Sequence, residues 1–296
     1  MDLTVIMVNY KCDRKKLNTC LNSIIDDIKV LIIDHSKDLE INQIIVPKNI
    51  SLEIIENENL GNGAGINCGI NKASTKYVLY LDIDTILPKN FFLELKNIIN
   101  KIDTFAVIAP QIDKFYDYKK IKNFGNLSLF KFFYNKLFFN IKREKDLLDN
   151  VNQVFFVSGS IMLINKEITL KNNIKFDENI FLFYEEDDFF HQCFKANLKI
   201  YLINDLKAIH LDGSISDNTL KFECFKKWHW EWSKYYFLNK HYNKLIIFLL
   251  ALKNIFKISL KICLFYFYNK KKKDIYKSRL DGIIGFYLKK SCKINY

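Results

Sequence analysis

This sequence of 296 residues is poor in the residues that interrupt regular structure, with only 3 prolines and 9 glycines. It contains 26 phenylalanines and 16 tyrosines, which excludes a disordered chain and predicts a large apolar core. Its seven cysteines form no Cys-x-x-Cys pair, and no signal peptide precedes the first apolar run. We therefore expect free thiols and a cytoplasmic location.

Acidic residues are scarce in the last quarter of the chain. Residues 221–296 contain 17 lysines and one arginine against four acidic residues, a balance of +14 in a chain of net charge +12. The first 220 residues therefore carry a charge of −2, which is ordinary for a soluble enzyme. This division predicts a catalytic domain over 1–220 and a basic helical region over 221–296 whose partner is an anionic surface.

Five short apolar runs, each followed by polar residues, alternate with helical patterns near the start of the chain. They lie at residues 3–8, 30–33, 52–55, 77–82 and 105–109. Strands that alternate with helices predict an α/β fold with a mostly parallel sheet, in which ligands bind beyond the carboxyl ends of the strands. Further along, the pattern predicts an insertion over the rim of that site at 114–150 and strands near 154–164, 199–203 and 208–211.

The fourth apolar run ends in two aspartates, Asp82 and Asp84, separated by one residue. Alternate side chains of a strand point the same way, so both carboxylates can face one site. Carboxylates in this position suit a hard divalent cation and the phosphates that it neutralises. The alternative interpretation is a solvated strand end. Pro88 follows, where it is predicted to open a helix.

A glycine-rich segment, Asn59-Leu-Gly-Asn-Gly-Ala-Gly-Ile-Asn67, follows the third run and opens a helix. Its spacing excludes the dinucleotide fingerprint Gly-x-Gly-x-x-Gly, because Ile66 and Cys68 stand where the last glycine is required. Two interpretations remain open, a helix start that binds an anion and a plain capping turn.

Four consecutive acidic residues, Glu185 to Asp188, lie between Phe181 and Phe183 on one side and Phe189 and Phe190 on the other. Aromatic neighbours desolvate a carboxylate and raise its pKa towards that of a useful general base. The alternative interpretation is a solvated helix face.

Histidine and tryptophan occur at informative positions near the end of the predicted domain. His210 ends a predicted strand, where it can complete a metal site with Asp84 or serve a structural role. Trp228, Trp230 and Trp232 follow at alternate positions. They are predicted to pack in a core or, for one or two of them, to line an acceptor pocket.

Taken in order, these motifs resemble those of inverting glycosyltransferases of family 2, which have the GT-A fold. The segments that resemble the nucleotide-sugar half are Val8-Asn-Tyr10, Ile33-Asp34-His-Ser, Asn59-x-Gly61 with Gly65-x-Asn67, and Leu81-Asp-x-Asp84. Phe176-Asp-Glu and Tyr184-Glu-Glu-Asp187 resemble the acceptor half, and His210 resembles the late metal histidine. The resemblance covers about residues 1–215, and residues 59–67 are most similar to bacterial rhamnosyltransferase-like members that build O-antigen, lipopolysaccharide and capsule.

The resemblance implies a role for each residue. Asp34 would bind the pyrimidine base, Tyr10, Asn59, Gly61 and Asn67 would lie near the nucleotide, and Asp82 would approach the ribose or donor sugar. Asp84 and His210 would ligate Mg²⁺ or Mn²⁺, and Asp187 would take the proton of the acceptor hydroxyl. Glu186 and Asp188 remain alternatives for this base, because Phe189 and Cys193 replace an Asp and an Arg that are frequent in the family. The implied partners are a UDP- or dTDP-sugar donor and a lipid-linked or cell-surface glycan acceptor.

Two other functions compete with this one. Tyr80-Leu-Asp-Ile-Asp-Thr-Ile-Leu87 also resembles the Asp-x-Asp-x-Thr motif of haloacid-dehalogenase-type phosphatases, in which Asp82 would be phosphorylated. That motif normally opens its fold, whereas three strand–helix units precede it here. A non-enzymatic basic module that binds membranes or nucleic acid accounts only for the tail, and no nucleic-acid-binding motif is present.

The basic tail contains an apolar run from Leu245 to Tyr268. Three lysines interrupt it at intervals of four, Lys253, Lys257 and Lys261, and this disfavours a transmembrane span. We expect an amphipathic helix on the inner face of the cytoplasmic membrane, within a contact over 240–296, to which Lys270–Lys273 adds attraction. The residues predicted to face the lipid are Ile246, Leu249, Leu250, Ile258 and Leu264. The alternative is a helix packed on the catalytic domain with a solvated lysine face.

Overall fold

The computed structural model describes residues 2–102, 104–113, 150–211 and 219–293. The predicted insertion at 114–150 lies outside these residues apart from Asn150. The strands are β1 (Leu3–Asn9), β2 (Ile28–Asp34), β3 (Ile50–Glu56), β4 (Tyr77–Leu81), β5 (Thr85–Ile86), β6 (Val107–Asp113), β7 (Val151–Val154), β8 (Ile161–Asn165) and β9 (Ile200–His210). The helices are α1 (Arg14–Asn22), α2 (Asn62–Lys72), α3 (Phe91–Ile99), α4 (Lys166–Lys171), α5 (Glu185–Lys195), α6 (Leu220–His241), α7 (Lys244–Tyr266) and α8 (Lys270–Tyr287).

The strands form one mixed sheet of order β3-β2-β1-β4-β8-β6-β9-β5, with β7 paired to β9. Strands β1 to β4 are parallel to one another. Strand β6 runs in the same direction as β4, because both are antiparallel to β8, and β9 is parallel to β6. The structure confirms the predicted α/β fold with a mostly parallel sheet. The carboxyl ends of β1, β2 and β4 therefore meet at one edge.

Helices cover both faces of the sheet, so its strands are buried on both sides. On one face α1 and α3 contribute Leu17, Leu21, Phe91 and Leu95 to the core. On the other face α2 and α5 contribute Ile66, Ile70, Phe189 and Cys193. Because α2 and α5 lie on the same face, the glycine-rich segment and the acidic segment, far apart in sequence, open neighbouring helices.

Two predicted boundaries are wrong for identifiable reasons. The strands predicted at 199–203 and 208–211 are a single strand, β9, whose register shifts where Pro110 and Gln111 of β6 face it. Proline has no N–H to donate to the ladder, and an irregularity at that point is expected. Helix α3 begins at Phe91 rather than at Pro88, because Pro88 lies in a turn before the helix, in which its carbonyl accepts from the Phe91 N–H at 2.9 Å.

The three C-terminal helices pack against one another, with α8 lying along both α6 and α7. Their shared core also contains Tyr184, which precedes α5 and so links these helices to the sheet domain. Helix α6 begins at Leu220, beside the boundary predicted between 1–220 and 221–296, and the division into two domains stays a prediction. Among the described helices, none combines the length and the apolar character that a membrane crossing requires.

Candidate active site

Two aspartates and a histidine meet at the carboxyl end of β4. His210 Nε2 lies 3.1 Å from Asp84 Oδ1 and 3.5 Å from Asp82 Oδ2. One ligand atom of each residue lies within 4.8 Å of those of the other two. Asp84 is buried, whereas Asp82 and His210 are partly exposed. The two predicted metal ligands, Asp84 and His210, are thus brought together, and Asp82, predicted to approach the ribose or donor sugar, lies with them.

A turn, and not the pleat of a strand, makes the two carboxylates converge. Strand β4 ends before Asp82, and the N–H of Thr85 donates to the Asp82 carbonyl at 3.0 Å. Strand β5 then pairs with the end of β9, which sets Thr85 opposite His210. The Leu211 N–H donates to the Asp84 carbonyl at 2.9 Å and holds His210 beside the turn.

The electrostatics of this cluster favour a cation. Hydrogen bonds to Asp82 and Asp84 raise the pKa of His210 to about 10, against the opposite effect of burial. Two carboxylates that stabilise an imidazolium so strongly also suit a divalent ion. Carboxylate oxygens and an imidazole nitrogen form a donor set that Mn²⁺ or Mg²⁺ accepts. The residues present therefore fit the predicted ion.

We call the turn from Asp82 to Thr85 the aspartate turn. A chain of polar contacts runs from it to the acidic segment, Glu185 to Asp188. The Tyr80 hydroxyl donates to Asp82 Oδ1 at 2.6 Å and lies 3.2 Å from the amide oxygen of Asn62. The Asn62 amide nitrogen donates to Glu185 Oε1 at 3.2 Å. The sequence pattern singles out neither Tyr80 nor Asn62, because a tyrosine in an apolar strand and an asparagine at a helix start are common. Their role appears only once α2 and α5 are placed side by side.

Glu186 packs onto the loop between β7 and β8. A Cβ atom added at Gly159 would overlap the Glu186 carboxylate, so glycine lets the carboxylate occupy this position. The neighbouring Ser160 carbonyl accepts a hydrogen bond from the Asp82 N–H at 2.8 Å. One loop therefore contacts both the acidic segment and the aspartate turn, and Gly159 is a site residue that the sequence places only in a strand-like region.

Burial raises the pKa values of the first three acidic residues of α5. The pKa of Glu185 rises to about 7 and that of Asp187 to about 6. The pKa of Glu186 rises through burial and through the charges of Glu185 and Asp187. The charge of Asp82 adds to the rise for Glu185 and Glu186, so both carboxylates lie within its field. Such carboxyl groups can accept a proton near neutral pH.

Asp188 differs from its neighbours because its carboxylate is held by other protein groups. Its Oδ1 lies 2.6 Å from His241 Nε2 and 2.8 Å from Lys240 Nζ. The Gln192 amide donates to its Oδ2 at 2.8 Å. Of the predicted candidates for the base, Asp187 and Glu186 are thus the two that keep a carboxylate outside this network, and the choice between them stays a prediction.

The backbone just before α5 is strained. Phe183 and Tyr184 have φ angles of 65° and 68°, and two consecutive left-handed residues that are not glycine each cost about 1–3 kcal/mol. Trp230 of α6 packs edge-on against both rings, at centroid distances of 5.3 and 5.4 Å. The Ser233 hydroxyl donates to the Leu182 carbonyl at 2.8 Å. Helix α6 therefore determines where the acidic helix begins.

The residues at the ends of β1 and β2 form a separate polar group. Asp34 is fully buried and accepts hydrogen bonds from the Asn9 amide at 2.6 Å, from Ser36, and from the Leu39 N–H at 3.0 Å. Burial alone would raise the pKa of Asp34, but these hydrogen bonds lower it. Tyr10 lies next to this group and is partly exposed. The roles predicted for Asp34 and Tyr10 in nucleotide binding stay predictions.

The glycine-rich segment packs against the segment that precedes α5. Gly61 has a φ of 106°, and a Cβ there would overlap the Phe181 carbonyl, which accepts from the Asn62 N–H at 3.1 Å. Asn67 is buried and donates to the Phe176 carbonyl at 2.9 Å. Asn59 Oδ1 accepts from the Gly61 N–H at 3.3 Å. These contacts give the segment a structural role, and its predicted contact with the nucleotide stays a prediction.

Known proteins similar to this chain are glycosyltransferases. A cholesterol galactosyltransferase of Borreliella burgdorferi is 28% identical over 198 residues, which is 64% of this chain and 53% of that protein. The match thus spans about half of the length of that relative.

Solved structures share the fold at low sequence identity. The S. aureus TarS 1–349 structure has a TM-score of 0.51 at 16% identity, over 97% of this chain and 81% of that one. GalNAc-T7 with UDP, GalNAc and Mn²⁺ has a TM-score of 0.51 at 13% identity, over 81% of this chain and 50% of that one. TarS with UDP-GlcNAc has a TM-score of 0.50 at 12% identity, over 98% and 92%. The fold is therefore GT-A. Residues 4–171 match the profile of glycosyl transferase family 2, and the chain belongs to that family.

Proposed function

We propose that this protein is a metal-dependent, inverting glycosyltransferase that moves a sugar from a UDP- or dTDP-sugar to a lipid-linked or cell-surface glycan. The observation that carries this proposal is the chain of contacts between a cation site and a cluster of proton-accepting carboxyl groups. It runs from Asp82, Asp84 and His210 through Tyr80 and Asn62 to the start of α5. A transferase of activated sugars needs both functions a short distance apart.

The donor end of the site is the aspartate turn. Asp84 and His210 would hold Mn²⁺ or Mg²⁺, which supplies positive charge that stabilises the departing diphosphate. Asp82 keeps a partly exposed carboxylate whose orientation is set by the Tyr80 hydroxyl, so it can meet the hydroxyl groups of a ribose or donor sugar. The structure of GalNAc-T7 contains UDP, GalNAc and Mn²⁺, and that of TarS contains UDP-GlcNAc, which supports this class of donor.

The acceptor end of the site is the start of α5. Asp187, or Glu186 in its place, takes the proton of an acceptor hydroxyl, whose oxygen then bonds to the anomeric carbon. The bond from that carbon to the diphosphate oxygen breaks as the new one forms, and the nucleoside diphosphate leaves with the bonding electrons. Attack from the opposite face inverts the anomeric carbon. A carboxyl group with a pKa of about 6 is suited to this step, because it is largely ionised at neutral pH yet basic enough to accept the proton.

The name of one relative supports an acceptor that contains a lipid. The Borreliella burgdorferi protein is called a cholesterol galactosyltransferase, so its acceptor is a lipid. We extend this to a lipid-linked intermediate in O-antigen, lipopolysaccharide or capsule assembly, at the inner face of the cytoplasmic membrane. The rhamnosyltransferase-like segment at residues 59–67 is the reason for preferring these glycans.

The phosphatase alternative is disfavoured by the family match, which includes the Asp-x-Asp turn. It requires a covalent phosphoaspartate at Asp82, whereas the transferase uses Asp82 without a covalent bond. Trapping of a phosphoryl group on Asp82 during turnover of a phosphate ester would favour the phosphatase.

A thermal-shift screen of UDP-, dTDP- and GDP-sugars with Mn²⁺ tests the proposal. We expect one donor class to raise the Tm of the wild-type protein in a metal-dependent way. Asp84→Asn should abolish this shift. Asp27→Asn should preserve it, because Asp27 is exposed and precedes β2, at the amino end of that strand and away from the site. The anomeric configuration of the product, read by NMR, then tests inversion. The proposal fails if no sugar nucleotide binds, or if the product retains the donor configuration.

A further inference from the structure

Helix α7 has one face packed in the protein and an opposite face that is apolar and exposed. Ile247, Ala251 and Ile258 are buried against the neighbouring helices, and the Asn254 amide donates to the Tyr235 hydroxyl at 2.7 Å. The exposed residues recur at intervals of three and four and form what we call the outward stripe: Leu245, Leu249, Leu252, Phe256, Leu260, Cys263 and Phe267. Because the buried face already anchors α7, the outward stripe is not required for the fold.

The outward stripe is long and continuous. From Leu245 to Phe267 it extends over about 33 Å at the rise of an α-helix. Phe256 is 66% exposed and Phe267 is 84% exposed. A contiguous apolar surface of this kind marks an interaction site in a soluble protein. Its composition differs from the lipid-facing set predicted from the sequence, because Ile258 is buried inside the protein and Leu250 is half-buried.

The charged residues of helix α7 itself are all lysines. No acidic residue occurs between Glu231 and Asp274. Lys253 and Lys257 are exposed along one flank. Lys270–Lys273 begins α8 at the end of the stripe, where Lys271 pairs with Glu223 and Lys273 with Asp274. A second copy of α7 would bring further lysines and no carboxylate to Lys253 and Lys257. An anionic surface would neutralise them.

Aromatic residues close the outward stripe at its C-terminal end. Tyr266 and Tyr268 are exposed on either side of Phe267. Lys273 lies over the Tyr266 ring at 5.4 Å, so aromatic and basic groups are interleaved at this point. Tyrosine and lysine side chains combine in this way at the boundary between acyl chains and headgroups.

We propose that the outward stripe docks on an anionic phospholipid bilayer, with α7 lying in the plane of the membrane. Leu249, Phe256 and Leu260 enter the acyl boundary, while Lys253 and Lys257 contact headgroup phosphates. The candidate active site contributes no residue to the outward stripe. Membrane binding can therefore be tested without transferase activity, and its outcome is separate from that of the proposed function.

Vesicle flotation of the full chain tests the apolar contribution. The wild-type protein should float with phosphatidylcholine vesicles that contain about one third phosphatidylglycerol, and F256S/L260S should lower the partition coefficient at least about thirtyfold. The matched control I45S/L93S removes two equally exposed apolar residues outside α7 and should float like the wild type. Equal flotation of F256S/L260S and wild type would overturn the proposal, as would absence of wild-type binding.

The electrostatic contribution needs its own variants. K253Q/K257Q should lower binding to the anionic vesicles about thirtyfold, and K48Q/K89Q, which changes exposed lysines on the sheet domain, should not. Pure phosphatidylcholine should bind the wild type weakly. If light scattering shows a dimer that F256S/L260S converts to a monomer, and vesicles do not bind, a second copy occupies the stripe and the proposal is wrong.

Cys263 offers a direct probe, because it is the exposed cysteine of the described chain and lies in the outward stripe. An environment-sensitive fluorophore on Cys263 should shift to the blue with anionic vesicles and be quenched by spin-labelled lipid. Cys263→Ser provides the background from labelling of other thiols. A fluorophore that stays in water while the protein floats would show that another surface binds, and would overturn the proposal.

Discussion

The ammonium group of Lys240 lies 2.8 Å from Asp188 Oδ1, and this ion pair joins α6 to the acidic helix one residue beyond the proposed base. Lys240 also contacts Asp177 at 2.7 Å. Burial alone would lower the pKa of Lys240, but hydrogen bonds to Asp177 and Asp188 outweigh it and raise that pKa. The C-terminal helices therefore orient the acceptor side of the site in addition to carrying the outward stripe.

Lys240→Met tests this ion pair. It leaves the fully buried Asp188 with His241 and Gln192 as partners, so we expect a loss of about 2 kcal/mol in the free energy of unfolding. Urea unfolding provides the measurement, with Lys244→Met as a matched control at the exposed start of α7. Equal stability of the two variants would show that His241 and Gln192 are sufficient partners for Asp188.

The proposed base predicts a pH dependence of activity. Because burial raises the pKa of Asp187 to about 6, kcat/KM should fall about tenfold per pH unit below that value, where the carboxylate is protonated. Asp187→Asn should keep donor binding and lower kcat by about 10²–10⁴. Parallel profiles of Asp187→Asn and Glu186→Gln decide between the two residues. Wild-type turnover in Asp187→Asn would transfer the role to Glu186.

Glu185 predicts a pH dependence of stability. Its pKa is about 7 in the folded protein and 4.5 as its ordinary value, so folding favours the protonated form. Its contribution to stability is present below pH 4.5 and is lost as the pH rises through 7. Glu185→Gln should therefore raise the free energy of unfolding at alkaline pH, on the order of 3 kcal/mol, and change it little in acid.

Thermal melts in chelator measure this effect, since a bound cation would alter the field at Glu185. Glu58→Gln, at an exposed position, serves as the control and should be neutral at every pH. If Glu185→Gln destabilises the protein at alkaline pH, the ionised carboxylate has a favourable partner and the predicted sign is wrong.

Most of the fold could be predicted from the sequence, because each strand of the parallel half is a short apolar run that ends in a polar residue. The cluster of Asp82, Asp84 and His210 could be predicted as well, although its geometry comes from a turn and from the β5–β9 pairing. The two-residue strand β5 is too short to leave a pattern, and the turn from Pro88 to Phe91 makes α3 begin later than the proline predicts.

Contacts between distant segments could not be predicted. Tyr80, Asn62 and Gly159 belong to the site because α2, α5 and the β7–β8 loop meet there, and each residue type is unremarkable in its own segment. The residues that α7 exposes also depend on where α8 packs. Periodicity indicates an amphipathic helix, but it does not say that Ile258 faces the protein.

Gly159→Ala tests the packing of Glu186 on its loop. The added Cβ would overlap the Glu186 carboxylate, which is the end of a flexible side chain and can rotate away. We therefore expect a Tm near that of the wild type but a fall in kcat of at least about tenfold, since the displaced carboxylate changes the field at the site. A double-mutant cycle with Glu186→Ala is the control, because Gly159→Ala should have no further effect on kcat when the Glu186 carboxylate is absent.

Trp230 is the exposed tryptophan of α6, and it lies against Phe183 and Tyr184 at the entrance to α5. An exposed aromatic face at the start of the acidic helix is suited to contact an acceptor sugar or lipid. Trp230→Ala should raise the acceptor KM about tenfold, equivalent to about 1.4 kcal/mol, and leave donor affinity unchanged. Trp232 provides the contrast: it is buried, stacks on Tyr236 at 5.3 Å, and its indole N–H donates to the Lys290 carbonyl at 3.1 Å.

Trp232→Ala should therefore cost about 3–5 kcal/mol of stability. Because Trp230 also supports the strained pair before α5, a lower kcat at unchanged acceptor KM would assign it to positioning of the helix and remove it from acceptor binding. Trp230→Phe separates the two roles further, since it keeps an aromatic face for the acceptor while giving up part of the packing on Phe183. Acceptor KM should return towards the wild-type value in this variant if the ring contacts the acceptor.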